Sequence, residues 1–182
     1  VTDEAIVSAF EPVSNRLDEF ECFAAEPADN IHITVKVLGN IVDNPDGERE
    51  FSPREEHQLT ETLRSPLDTV SSFTVRFPRC NLFPGVVYAE VDDADTFADL
   101  NRRLCELNDV PVLERDRDGF IPHLTLGHFT QRDGYEQLLQ YLETHRSLNV
   151  PAMTVDELEL VALDYSDGRF PPYETLETYT LS

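Results

Sequence analysis

Ile31-His32-Ile33-Thr34-Val35 and Pro122-His123-Leu124-Thr125-Leu126 carry one pattern twice: histidine, apolar, threonine, apolar. A strand has a side-chain period of two, so His and Thr of each copy share one face and the apolar residues take the other. Each copy reads as an apolar-backed strand that presents one imidazole beside one hydroxyl. Brought together, two such strands surround a small anion with two histidines and two hydroxyls. The chemistry this suggests is that of a phosphoester.

Working outward, the second copy starts 91 residues after the first, half of the 182-residue chain. Each copy is followed by a helical pattern and then by strands. Ser52-Pro53-Arg54-Glu55 is a capping box with proline at the first helical position, opening a helix to Leu63 or Arg64. Asp93 or Asp95 caps a helix running to Asn108, with Phe97, Leu100, Leu104 and Leu107 on one stripe. Gly134 to Arg146 is a third amphipathic helix. Ala5 to Phe10 reads as a strand closed by Pro12, with a short helix over 13–23. Further strands are expected at 31–38, 72–77, 86–91, 120–129, 153–163 and 173–181, with a loop from Pro78 to Gly85. Short connections favour antiparallel pairing. The expectation is a single α+β domain over 1–182, of two pseudo-symmetric lobes of largely antiparallel sheet flanked by helices, with a central cleft.

Composition narrows the classes. Acidic residues outnumber basic ones 36 to 14, a net charge of −22, and Lys36 is the one lysine among thirteen arginines. A general nucleic-acid coat needs a basic stripe, so no large nucleic-acid surface is expected. Acidic excess with almost no lysine resembles cytosolic proteins of extreme halophiles. In molar salt a Debye length of about 3 Å screens the self-repulsion. An ordinary acidic protein is the simpler alternative. Cys22, Cys80 and Cys105 are odd in number and lack CxxC spacing, which suits a reducing cytoplasm and suggests neither disulfides nor zinc. No stretch approaches a membrane span, and the first apolar run is too short for a signal peptide. A monomer without cofactors is expected.

A single His-x-Thr is equally well explained by a strand histidine beside a good strand former. Two strand-borne copies half a chain apart are not. Together with Lys36-Val37-Leu38-Gly39 after the first copy and Gly127 after the second, they resemble the paired motifs of the 2H phosphoesterase superfamily. The RNA 2',3'-cyclic phosphodiesterase group, also called the 2'-5' RNA ligase-like family, is the branch they resemble most. Leu163 to Gly168 and Tyr173 to Leu176 are similar to that family's closing hairpin. The resemblance implies two sheet lobes facing across a cleft. It also implies metal-independent hydrolysis of a 2',3'-cyclic phosphate, at an RNA end or on a small nucleotide, to a 2'-phosphate. It assigns His32 as general acid and His123 as general base. Histidine suits both tasks, because its ordinary pKa is about 6.5. The Thr34 and Thr125 hydroxyls can donate to phosphate oxygens. Alternatives are 2'-5' RNA ligation by the same groups, or a nucleotide-binding or RNA-end-binding protein without turnover.

Lys36 falls on the face of His32 and Thr34 by alternation, where it could attract the substrate phosphate, steady the strand, or simply be an edge lysine. In that family Ala-Arg often follows the second motif; here Gly127-His128 stands. A regular strand would turn His128 away from His123. Arg115 and Arg117, in a charged turn, read as solvated. Phe83, Phe120 and Tyr173 lie beside the expected cleft, where packing is the commoner use of aromatics. His57 reads as solvated, and His145 as a helix C-terminal residue.

Overall fold

The computed structural model describes residues 1–182 except 2, 48, 109, 118, 165–169 and 171. Its first element is a helix, α1 (Glu4–Asp18), not a strand. Asp3 caps it, its carboxylate accepting from the Ala5 and Ile6 amides at 2.9 and 3.4 Å. Ile6, Phe10 and Leu17 are buried at helical spacing, with Val13 packed beside them. Pro12 sits inside the helix, and burial of this stripe outweighs its missing amide donor.

The chain continues through β1 (Phe23–Ala25), a 3₁₀ turn at Ala28–Asn30, and the first motif. Then come β2 (Asn40–Ile41), β3 (Glu50–Phe51), α2 (Pro53–Leu67), β4 (Phe73–Val75), β5 (Cys80–Phe83) and β6 (Val86–Glu90). The second half holds α3 (Thr96–Cys105), α4 (Glu114–Arg117), β7 (His123–Phe129), α5 (Tyr135–Thr144), β8 (Met153–Val155), β9 (Glu157–Leu163) and β10 (Tyr173–Thr180). The capping box forms as expected: Glu55 N donates to Ser52 Oγ at 3.3 Å, and Ser52 N to Glu55 at 2.8 Å. Asp95 stands at the N-cap of α3 without a side-chain cap bond, and Asp93, two residues earlier, accepts from the Phe97 amide at 2.6 Å. Cys80 to Phe83 form a strand inside the expected loop, turned into β6 at Gly85, whose φ is +84°.

The main sheet is antiparallel with order β1-β7-β6-β5. Strand β7 lies inside it, and Leu124 and Leu126 on its rear face are fully buried with Val87 and Ala89. β4 pairs antiparallel with β8, β9 with β10 as a hairpin, and β2 with β3 in a two-residue parallel contact. The architecture is therefore α+β and largely antiparallel. Part of the expected closing-hairpin motif, 165–169, lies outside the described residues, while its two flanking strands pair.

Two departures bear on the site. Residues 31–38 do not form a ladder; Ile33 makes one antiparallel bridge, to Leu124. Side chains hold part of this segment instead, for Asn101 Nδ2 donates to the Val35 carbonyl at 2.8 Å. Between Val87 and Tyr88 the β6–β7 register shifts, Val87 facing Gly127 and Tyr88 facing Thr125, so β7 carries an extra residue. Such a bulge reverses the alternation beyond it.

Candidate active site

The bridge between Ile33 and Leu124 brings the two motifs side by side. Continued by one residue either way, that register would set His32 opposite Thr125 and Thr34 opposite His123, and the two imidazoles are close enough for the charge of one to act on the other. Directly opposed residues in an antiparallel pair share a face. Leu124 fills the core, and the four polar residues are each partly exposed. The motifs, half a chain apart in sequence, meet through a backbone contact.

Both histidines are held alike. His32 Nδ1 lies 2.7 Å from the Asn30 carbonyl, and His123 Nδ1 lies 2.8 Å from the Ile121 carbonyl, each two residues upstream. A carbonyl only accepts, so Nδ1 carries the proton in both rings. Nε2 is left as the nitrogen that gives or takes a proton.

Their surroundings differ. The Tyr173 hydroxyl, from β10, touches His32 Nδ1 and donates to the Asn30 carbonyl at 3.0 Å. The rings of His32 and Tyr173 meet edge to face at 5.1 Å. Burial pushes the His32 pKa below the ordinary imidazole value; the bond to the Asn30 carbonyl opposes this, and positive charge on nearby His123 adds to it. His123 instead packs edge-on against Phe83 and Tyr88 at 5.0 and 5.5 Å, and those two rings stack at 4.1 Å.

Lys36 does not face solvent. Its Nζ donates to Asp116 at 2.5 Å and to the Pro111 carbonyl at 2.7 Å, and both charged side chains are 2% exposed. Asp116 also accepts from the Leu113 amide at 2.7 Å and from Asn101 at 3.1 Å. Burial would raise the Asp116 pKa, but the bonds from Lys36, Asn101 and Leu113 outweigh it and hold the carboxyl below its usual range. Of the uses open to Lys36, the geometry realises the strut: its ammonium ties the first motif segment to α4.

His128 is turned toward the site face, contrary to the regular-strand expectation. The bulge reverses its direction, so His128 faces Val86 as Thr125 faces Tyr88 and His123 faces Glu90. Its Nε2 lies 3.7 Å from buried Glu26. Burial pushes the Glu26 carboxyl up to about 7, partly opposed by a hydrogen bond from the Asn30 side chain. Asn30 thus links Glu26 to the carbonyl that anchors His32.

The remaining candidates lie elsewhere. Arg115, Arg117 and His57 are exposed, as expected, and Phe120 packs on the core. His145 follows α5, with Nδ1 3.0 Å from the Tyr141 carbonyl. Sequence patterns did not show the tie of Tyr173 to His32, because the partners are 141 residues apart. They could have suggested the carbonyl anchors, since both acceptors stand two residues before their histidines.

Two His-x-Thr motifs joined by a backbone bridge define a class. The profile of the 2'-5' RNA ligase superfamily matches residues 9–167, and the chain belongs to that family. It is 26% identical over 158 residues to the RNA 2',3'-cyclic phosphodiesterase of Methanothermobacter thermautotrophicus, covering 84% of this chain and 79% of that protein. E. coli LigT complexed with 3'-AMP has a similar fold, with a TM-score of 0.73 at 18% identity over 97% of this chain and 91% of that one. TT0787 of Thermus thermophilus gives a TM-score of 0.72 at 18% identity, over 98% and 92% of the two chains. Among the described residues no helix is long and apolar enough to cross a membrane.

Proposed function

We propose that this chain hydrolyses a 2',3'-cyclic phosphate, at an RNA end or on a small cyclic nucleotide, to a 2'-phosphate. The observation that supports this reading is the Ile33–Leu124 bridge, which brings the two motifs together, with Nδ1 of each histidine anchored to a carbonyl. His123 Nε2 takes a proton from water as the water oxygen attacks phosphorus. The bond from phosphorus to O3' breaks, and protonated His32 Nε2 delivers its proton to O3'. Thr34 and Thr125 hydroxyls donate to the non-bridging oxygens, where charge gathers in the transition state. Burial makes protonated His32 a stronger acid, and the anionic phosphate beside it restores a share of that protonated form. These groups supply every proton transfer, so the reaction proceeds without metal. Lys36 serves through the backbone it braces.

Support comes from the family match and from the relative named as an RNA 2',3'-cyclic phosphodiesterase. The test is hydrolysis of nucleoside 2',3'-cyclic phosphates in the presence of EDTA, with products identified by phosphorus NMR. A 2'-phosphate is expected. A 3'-phosphate, a requirement for added metal, or tight binding without turnover would overturn the proposal.

A further inference from the structure

The face that carries His123 continues across the main sheet. Glu90 of β6 lies opposite His123, and Tyr88 lies opposite Thr125. Beyond them, Asn81 of β5 lies opposite Tyr88, and the Arg79 carbonyl receives the Glu90 amide at 2.9 Å. The side chains meet on this face. Arg79 Nε donates to Glu90 at 2.7 Å, Asn81 Nδ2 donates to Glu90 at 2.7 Å, and the Arg146 guanidinium lies 4.0 Å from the same carboxylate. Tyr88 belongs to the cluster: burial and then Glu90 push its phenol up, while Arg146 and Arg79 pull it down.

The charge count is unusual for this protein. Two arginines share one carboxylate, which leaves a local excess of one positive charge on a chain of net charge −22. Elsewhere among the described residues, ion-paired arginines sit on at least as many acids. Arg16 pairs with Glu19, Arg64 with Glu61 and Glu177, and Arg102 and Arg103 with Asp99 and Glu106. Glu90 is mostly covered, at 21% exposure, whereas Arg79 and Arg146 remain 56% and 42% exposed. The carboxylate holds the Arg79 guanidinium by a hydrogen bond and stands within ion-pair distance of Arg146, whose Nε donates to the Cys80 carbonyl at 3.1 Å, and both guanidinium groups remain largely open to water. Arginine is the side chain best matched to phosphate geometry. Two strand spacings, about 10 Å, separate β7 from the sheet edge where this pair stands.

We propose that Arg79 and Arg146 form a second phosphate site, which holds an internal phosphodiester of a single-stranded RNA whose terminal cyclic phosphate lies between His32 and His123. This rests on the function proposed above and narrows its substrate to an oligonucleotide end. A cyclic mononucleotide has one phosphate and leaves the arginine site unused. The RNA strand crosses the sheet from β7 toward β5, with Glu90 keeping the guanidinium groups apart and oriented.

The test compares a short oligoribonucleotide ending in a 2',3'-cyclic phosphate with the corresponding cyclic mononucleotide, for wild type, Arg79→Ala, Arg79→Glu and Arg79→Ala with Arg146→Ala. The ratio of kcat/KM values, oligonucleotide over mononucleotide, should fall about tenfold or more in the double variant, through KM, as expected for lost charge-assisted phosphate contacts. Arg79→Glu should lower it further than Arg79→Ala. For the wild type, log kcat/KM should fall with log salt more steeply for the oligonucleotide, by a slope of about 0.7 for one additional held phosphate. Equal ratios in all variants, or equal salt slopes, would overturn the site. Fluorescence anisotropy with a 3'-phosphorylated oligonucleotide separates this failure from that of the catalytic proposal. Arginine-dependent binding without turnover of either substrate retains the site and removes the chemistry. Turnover of both substrates with arginine-independent binding does the reverse.

Discussion

Replacing Lys36 by methionine should strip the countercharge from one of the most buried carboxylates in the protein. Asp116 is 2% exposed and would keep two neutral donors, the Leu113 amide and the Asn101 side chain, while losing its ammonium partner. Removing one member of a buried ion pair costs about 3–5 kcal/mol. For a chain of this size that corresponds to a fall in Tm of roughly 6–20 °C. The loss should depend on pH. In the wild type the Asp116 pKa is held down, so its stabilisation is present above the unfolded value of about 3.9 and is lost as pH falls through the lower folded value. In Lys36→Met the ammonium no longer opposes burial, so the folded pKa rises relative to the wild type. The deficit should then be smaller at about pH 4 than at about pH 7. Adding Asp116→Asn should recover more than half of the loss, because a neutral amide oxygen still accepts from Leu113. Urea unfolding at both pH values measures all three proteins. A Lys36→Met protein within about 1 kcal/mol of wild type at neutral pH, or no recovery in the double variant, would refute the strut. So would a rise in KM for cyclic phosphates, measured well below Tm, that Asp116→Asn does not reverse, because that would put the ammonium on the substrate.

Tyr173→Phe keeps the ring against His32 and removes the hydroxyl that steadies the Asn30 carbonyl. We expect kcat to fall by about tenfold or less, as for one neutral hydrogen bond, with a shift in the limb of a bell-shaped kcat/KM profile that His32 sets. An unmoved limb would count against a positioning role. Gly127→Ala places a Cβ 2.3 Å from the Ala24 carbonyl oxygen and 2.6 Å from the Phe23 ring, so a loss of about 1–3 kcal/mol is expected in thermal or urea unfolding. An equally stable variant would show that β1 is free to move away. The charge of −22 predicts a higher Tm in molar KCl than in dilute buffer, and equal values would undo the inference of salt adaptation.

Local signals carried the sequence reading furthest. The paired His-x-Thr motifs, the Ser52–Glu55 box and the Phe97–Leu100–Leu104 stripe each complete their message within a few residues. Helix α1 is equally local: Ile6, Phe10, Val13 and Leu17 keep helical spacing across Pro12, the residue that argues for a strand ending there. The bulge before Gly127 left no such mark. It depends on how β7 meets β6, and it alone turns His128 to the site face. Lys36 with Asp116 and His32 with Tyr173 are pairings 80 and 141 residues apart, which chain patterning does not report. The near-absence of lysine did show that position 36 is unusual, and its buried partner supplies the reason.

The division of labour between the histidines bears directly on the mechanism. Under the proposed assignment, an aryl phosphodiester whose leaving group needs no proton should spare His32→Ala more than His123→Ala. The broader claim, that these two rings together perform the reaction, is tested by kcat/KM for a nucleoside 2',3'-cyclic phosphate, measured with EDTA for wild type, His32→Ala, His123→Ala and the double variant. Each single change should lower the rate by about 10²–10⁴-fold. The double variant should be far less impaired than the product of the two losses, since the groups act as a unit. Single variants that retain wild-type activity would contradict the account.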